Sequence, residues 1–141
     1  MGKELMETTL RGSELLKLEE FGDERGSLIA LEALKNVPFD IKRVFYIYNT
    51  NPDSPRGFHA MIDSYQVMVC VNGSVDVVLD NGTERQTFPL SSIHQGLFVD
   101  KMIWHEMHNF SEDCILMVLT NNPYTEEDNL IGYENYLEMI K

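Results

Sequence analysis

Chemistry near neutral pH asks for a group that can take up and release a proton there, and imidazole is the side chain whose ordinary pKa suits it. The chain carries four, His59, His94, His105 and His108. His59 stands in Arg56-Gly57-Phe58-His59-Ala60-Met61, after a loop holding Pro52 and Pro55 and ahead of a strand-like run. A guanidinium beside an imidazole, with a glycine between, combines an anion-binding group with a proton carrier. Gln66 follows seven residues on. A lone histidine is more often a hydrogen-bonded structural residue, and the company of Arg56 and Gln66 is what raises His59 above that reading. Arg25, Arg43 and Arg56 are the arginines to be gathered if a cleft binds a small anion.

The elements that position these residues belong to one domain, since 141 residues leave no room for a second. At this size folding buries roughly two-thirds of the unfolded chain's surface, enough for a core without staples. Hydrophobic residues at 43% and charged residues at 24% argue against disorder. The formal net charge of −12 repels phosphate backbones, which argues against nucleic acid as a partner. No apolar run approaches the ~20 residues that span a bilayer, so no membrane is expected. Cys70 and Cys114 both sit in apolar runs and read as reduced core thiols of a cytoplasmic protein. Residues 1–12 show no period and read as a flexible N-terminal segment, leaving 13–141 as the single domain.

Short apolar runs separated by turn signals follow. Ser27–Leu34, Arg43–Asn49, Tyr65–Val71, Ser74–Asp80, Gly96–Val99, Trp104–Phe110 and Cys114–Thr120 are the predicted strands. In the fourth run Val75, Val77 and Leu79 share one face and Ser74, Asp76 and Asp80 the other, the period of two of a half-buried strand. Asp80-Asn81-Gly82 predicts a hairpin, because Asn-Gly tolerates the positive φ angles of a type I′ turn. The period changes at the C-terminus, where Tyr133, Tyr136, Leu137 and Ile140 fall on one helical face. Thr125 with Glu126, Glu127 and Asp128 has the acidic character of a helix start. Many short strands, one terminal helix and no strand–helix alternation predict an all-β sandwich or barrel.

The spacing His59-x-Met61, Gln66, Gly73, with a looser segment from Gly96 to His105, resembles the motifs of the cupin superfamily. The resemblance implies a cupin (jelly-roll) barrel with a short C-terminal helix. Metal-binding cupins hold their ion with two histidines, a glutamate and a later histidine. Here Met61 and Gln66 stand at two of those places, a soft thioether and a neutral amide, and neither suits a hard divalent ion. Metal-dependent chemistry is therefore not expected, and no cofactor is implied.

Longer blocks narrow the resemblance. Asp23-Glu24-Arg25-Gly26-Ser27-Leu28, Pro38-Phe39-Asp40-Ile41-Lys42-Arg43-Val44-Phe45-Tyr46-Ile47, Pro55-Arg56-Gly57-Phe58-His59-Ala60, Asn72-Gly73-Ser74, Gly96-Leu97-Phe98-Val99 and Trp104-His105-Glu106-Met107-His108 resemble the dTDP-sugar 3,4-ketoisomerases. The resemblance covers roughly residues 20–141. It implies conversion of dTDP-4-keto-6-deoxyglucose to its 3-keto isomer, on the way to 3-amino or 3-acylamino deoxysugars, with His59 as the catalytic base. It further implies Arg43 and Arg56 as diphosphate contacts and Gln66 in the substrate cleft. Tyr46 and Tyr48, two apart on one strand face, are candidate donors or sugar contacts, Tyr46 the candidate catalytic one. Arg25 with His105 resembles the branch whose product keeps the C4 hydroxyl axial, the galacto form. The resemblance also implies a homodimer, with strand exchange.

One departure stands out. The family motif reads His-Ala-His-Lys, and this chain reads His59-Ala60-Met61-Ile62. A thioether neither gives nor takes a proton near pH 7. Besides the isomerase, two other readings follow: a nucleotide-sugar-binding cupin with impaired catalysis, and a related sugar epimerase. The epimerase is weaker, because such enzymes pair histidine with a carboxylate and none here has that place.

Overall fold

The computed structural model describes residues 10–141. Alternating strands generate two facing antiparallel sheets. The first is ordered β1 (Ser13–Lys17), β9 (Gln95–Val99), β6 (Gln66–Asn72), β11 (Ile115–Thr120), β4 (Arg43–Ile47). The second is ordered β12 (Asn129–Ile131), β5 (Arg56–Met61), β10 (Trp104–His108), β7 (Val75–Asp80), β8 (Arg85–Leu90). A hairpin of β2 (Glu20–Asp23) and β3 (Gly26–Ile29) forms a small sheet of its own. The chain ends in helix α1 (Tyr133–Met139).

The period-two reading holds where it was clearest. Val75, Val77 and Leu79 point between the sheets with Met68, Cys70, Leu97, Leu116 and Val118. On the outer side of the first sheet, Val67, Val69 and Leu119 are covered by Leu18, Val37 and Phe39. On the outer side of the second, Ala60 and Trp104 are covered by Tyr136 of α1. A seven-residue helix is marginal alone, so this docking holds it. Tyr136 is fully buried and its one hydroxyl hydrogen sits between the carbonyls of Met102 (2.8 Å) and Asp80 (3.1 Å).

Several boundaries differ from the sequence reading. Leu10 is buried in the central core and the Gly12 carbonyl accepts from Asp100 N at 2.8 Å, so residues 10–12 belong to the folded body. The rest of the segment assigned to 1–12 lies outside the described residues. The hairpin after Asp80 exists, but its loop is the four residues 81–84, closed by the Asn81 side chain accepting from the Thr83 and Glu84 amides. The acidic stretch after Thr125 makes only a 3-10 turn (Glu126–Asp128), and β12 intervenes before the helix begins. Cys70 and Cys114 are free and buried, with sulfurs 3.9 Å apart.

Candidate active site

Two strands of the second sheet set the chemistry. β5 pairs β10 with His59 directly opposite His105, after which Glu106 pairs with Gly57 and Phe58 is left over as a bulge. Gly57 (φ 92) and Phe58 (φ 62) both carry positive φ there. A Cβ on Gly57 would come 3.0 Å from the His105 carbonyl oxygen and 3.3 Å from Glu106 Cα, so glycine is required by close approach as well as by conformation. The bulge puts the extra residue outside, where Phe58 meets the His108 ring edge-on at 5.6 Å. His59 and Met61 remain on the cavity side.

The His59 and His105 rings meet edge-to-face with centroids 4.5 Å apart. His105 is 1% exposed, and burial foremost, then the neighbouring His59, pushes its pKa down to about 3, the Ile103 carbonyl opposing only in part. His59 is also lowered, by burial first, with the Gly57 carbonyl working the other way. Both rings are therefore neutral at pH 7. His59 Nδ1 lies 3.2 Å from the Gly57 carbonyl oxygen. A carbonyl only accepts, so Nδ1 carries the proton and Nε2 keeps the lone pair.

His59 lines a cavity of about 360 Å³ between the edges of the two sheets. From its own sheet come Arg56, Met61, Asn129 and Ile131; from the facing sheet come Arg43 and Phe45 of β4 and Gln66 of β6. Tyr124, in the loop after β11, stands at the mouth. The Arg43 guanidinium lies 5.0 Å from the Phe45 ring centroid and 5.4 Å from that of Tyr124. Among the described residues three buried side-chain polar atoms lack a partner: Arg43 Nε, Gln66 Oε1 and His105 Nδ1. Two of the three belong to cavity-lining side chains and the third to the ring behind His59. Buried polar groups are normally paired, and their gathering here marks a place shaped for a polar ligand.

Five of the eight candidate site residues are thus brought together: Arg43, Arg56, His59 and Gln66 around the cavity and His105 behind it. Three are not. Tyr46 and Tyr48 lie 63% and 58% exposed, their rings paired at 6.0 Å on the outside of β4. The period of two explains the correction, because Arg43 and Phe45 face inward and Tyr46 must face away. Tyr46 therefore touches no cavity atom in its own chain. Arg25 sits at the exposed tip of the β2–β3 hairpin, its Nε 3.2 Å from both Asp23 carboxylate oxygens. Phe45, Tyr124, Asn129 and Ile131 were missed. Phe45 was recoverable by counting two from Arg43, whereas Tyr124 and β12 reach the site only through tertiary pairing.

A metal does not fit this donor set. Among the described residues no three His, Cys, Asp or Glu side chains converge as a metal-binding group. Around the cavity the polar neighbours of His59 are the Met61 thioether, the Gln66 and Asn129 amides, the Tyr124 phenol and two guanidinium groups, which do not make a ligand set for a hard divalent ion.

Residues 11–141 match the protein family described as FdtA: WxcM-like, C-terminal. The chain is also 46% identical over 128 residues to the TDP-4-oxo-6-deoxy-alpha-D-glucose-3,4-oxoisomerase of Aneurinibacillus thermoaerophilus, covering 91% of this chain and 92% of that protein. The chain belongs to the dTDP-sugar 3,4-ketoisomerase family. A 3,4-ketoisomerase from Helicobacter canadensis has the same fold at a TM-score of 0.88 and 42% identity, covering 91% of this chain and 96% of that one. The sugar 3,4-ketoisomerase QdtA from Thermoanaerobacterium thermosaccharolyticum, solved in complex with TDP, superposes at 0.89 with 35% identity, covering 93% and 96%. As a ketoisomerase-family cupin, the all-β jelly roll with its C-terminal helix is as the sequence led one to expect. No helix among the described residues is long and apolar enough to cross a membrane.

Proposed function

We propose that this family member moves the keto group of TDP-4-keto-6-deoxyglucose from C4 to C3 without a metal, giving the product with an axial C4 hydroxyl. The observation that carries the reading is the neutral His59 imidazole at a cavity whose buried Arg43 and Gln66 atoms await a partner. Removal of the C3 proton needs a base that is unprotonated at neutral pH, and a positioned imidazole contributes about 10²–10⁴-fold. His59 Nε2 is that base. Arg43 and Arg56 take the diphosphate, since guanidinium matches phosphate oxygens in pairs. Gln66 offers an amide donor and an acceptor to the sugar oxygens, where charge develops as the enediolate forms.

Arg25 and His105 complete the expected set if the hairpin enters a second copy. The hairpin leaves Phe21 and Leu28 55% and 60% exposed, and edge strand β4 leaves Val44, Tyr46 and Tyr48 exposed. A lone two-stranded hairpin is marginal in water, and apolar surface of this kind fits a homodimer that exchanges it. Light scattering at working concentration returns a dimer on this account; a monomer contradicts it. The free thiol pair accords with a reducing compartment, the cytoplasm.

Met61 supports the second reading, a binding protein that has lost turnover. NMR of TDP-4-keto-6-deoxyglucose incubated with the protein decides between them. Migration of the keto group to C3 is the expected result. TDP binding without migration, and without exchange of the C3 proton in D2O, contradicts the isomerase.

A further inference from the structure

The chain has two cysteines, and the fold brings both to one place that the cavity does not use. Cys70 lies on β6 opposite Leu116 of β11, and Cys114 precedes Leu116 by two, so all three share the inward face. Each cysteine is 1% exposed, and the sulfurs stand 3.9 Å apart. Cys70 Sγ also donates to the Asn72 carbonyl oxygen at 3.2 Å. Its single hydrogen is thereby engaged, so Cys114 is the donor between the two sulfurs.

Hydrogen bonds fix the backbone on both sides of the pair. Asn72 Nδ2 donates to the Asp113 carbonyl at 2.8 Å, and the Ser111 amide to the Ser74 carbonyl at 2.9 Å. In return the Ser74 amide donates to Ser111 Oγ at 2.9 Å, and Thr50 Oγ1 donates to the Ser111 carbonyl at 2.7 Å. A Cβ on Gly73 would come 2.9 Å from Cys114 Cα, so the turn before β11 is seated directly on the connection from β6 to β7. Disulfide sulfurs lie about 2.05 Å apart, so each sulfur here has to move only about 1 Å by side-chain rotation. Glu112 and Asp113 beside Cys114 are exposed, as are Val71 and Asn72 beside Cys70, which leaves the pair close beneath the surface.

We propose that Cys70 and Cys114 are a latent disulfide site, closed within one chain by a peroxide and reopened by a dithiol. The thiolate of one cysteine attacks a peroxide oxygen, the O–O bond breaks, and a sulfenic acid and water form. The second thiol attacks that sulfur; the S–S bond forms as the S–O bond breaks, and hydroxide leaves with the thiol proton as water. The two sulfurs lose two electrons in all, and hydrogen peroxide is reduced to two waters. Burial foremost pushes both thiols up, with the Asp113 carboxylate acting in the same sense, and the neighbouring Cys70 helps take Cys114 to about 12. Thiolate is therefore scarce at pH 7, and the pair stays reduced until oxidant is sustained.

The bridge acts on stability rather than on the cavity. Gln66, the cavity residue of β6, is four residues and about 13 Å along the strand from Cys70. Linking positions 44 apart restricts the unfolded chain and so favours the folded one. The proposal is independent of the isomerase reading.

The test incubates the intact protein with hydrogen peroxide, digests it without reductant and maps the peptides by mass spectrometry. The expected product is a peptide pair joined through Cys70 and Cys114, two hydrogens lighter than its parts, with no covalent dimer on a non-reducing gel. The melting temperature rises by about 5–15 °C, and dithiothreitol reverses the rise. TDP affinity by calorimetry is the same in both forms. Cys114→Ala, given the same oxidant, shows neither the joined peptides nor the rise. The joined peptides are read on the wild-type chain, so that result does not depend on the variant folding. Cysteines recovered only as free thiols or sulfinic acids overturn the proposal. So does a bridge between chains, a bridge that fails to raise the melting temperature, or one that changes TDP affinity.

Discussion

Strand β10 has two faces, and they handle polarity in opposite ways. On the outer face Trp104 Nε1 donates to Glu106 at 2.8 Å, and His108 Nε2 lies 2.8 Å from the other Glu106 oxygen. Arg85 bridges Glu106 (3.4 Å) to Asp80 (3.1 Å), and the Tyr133 hydroxyl donates to Asp80 at 2.8 Å. Burial alone would raise the Glu106 pKa, but the bonds from Trp104 and His108 and the Arg85 charge outweigh it and hold it low. One residue along, on the inner face, His105 Nδ1 has no partner, and across the cavity neither do Arg43 Nε and Gln66 Oε1. The same strand thus carries a closed network outside and an open one inside. The closed network secures α1 and the fold; of the open one, Arg43 and Gln66 line the cavity and His105 lies behind His59.

The comparison is sharpest for the two arginines. Arg43→Ala weakens dTDP binding about 10- to 100-fold by calorimetry, since a hydrogen-bonded charge is worth about 1.5–3 kcal/mol. Arg85→Ala, on the outer face, leaves dTDP affinity unchanged. Equal losses from both would erase the distinction between the faces.

Lowering pH attacks the inner face first. His105, at about 3 in the folded protein against an ordinary 6.5, stays neutral while its unfolded counterpart takes up a proton. Stability is therefore full above pH 6.5 and falls as pH drops from there toward 3, by about 2 kcal/mol between pH 7 and 5 for this group. His59, also lowered, adds a loss of the same sign below 6.5. Urea melts at the two pH values measure it, and His105→Gln flattens the slope. Turnover has its acid limb below pH 6.5 as His59 protonates, and an acid limb above that value contradicts a depressed base.

Glu106→Gln loosens the outer network by about 1 kcal/mol, read as a lower denaturant midpoint with turnover per folded molecule preserved. Smallest of all is Tyr46→Phe. On the exposed side of β4 it changes stability by less than about 0.5 kcal/mol and leaves turnover at the wild-type level in the NMR assay. A large loss would return Tyr46 to the machinery.

What could be read from the chain follows from how local each signal is. Alternation located β7 and its inward valines, because side chains two apart must share a face. His59, Arg43 and Arg56 were legible from their chemistry. Misreading Tyr46 came from judging a residue by its hydroxyl before placing it in register with Arg43. The Phe58 bulge, β12 and the approach of Tyr124 to Arg43 depend on pairings between segments far apart in sequence, which no local pattern encodes. The β2–β3 hairpin is the converse case: Arg25 was singled out by its motif, and it lies at an exposed hairpin tip away from the cavity of its own chain.

The account stands or falls on His59 as the proton carrier. Turnover of TDP-4-keto-6-deoxyglucose by His59→Asn, followed by NMR beside a dTDP titration of the same variant, tests it directly. The account predicts retained dTDP binding with keto migration slowed by about 10²–10⁴-fold. Migration at the wild-type rate in that variant would contradict it.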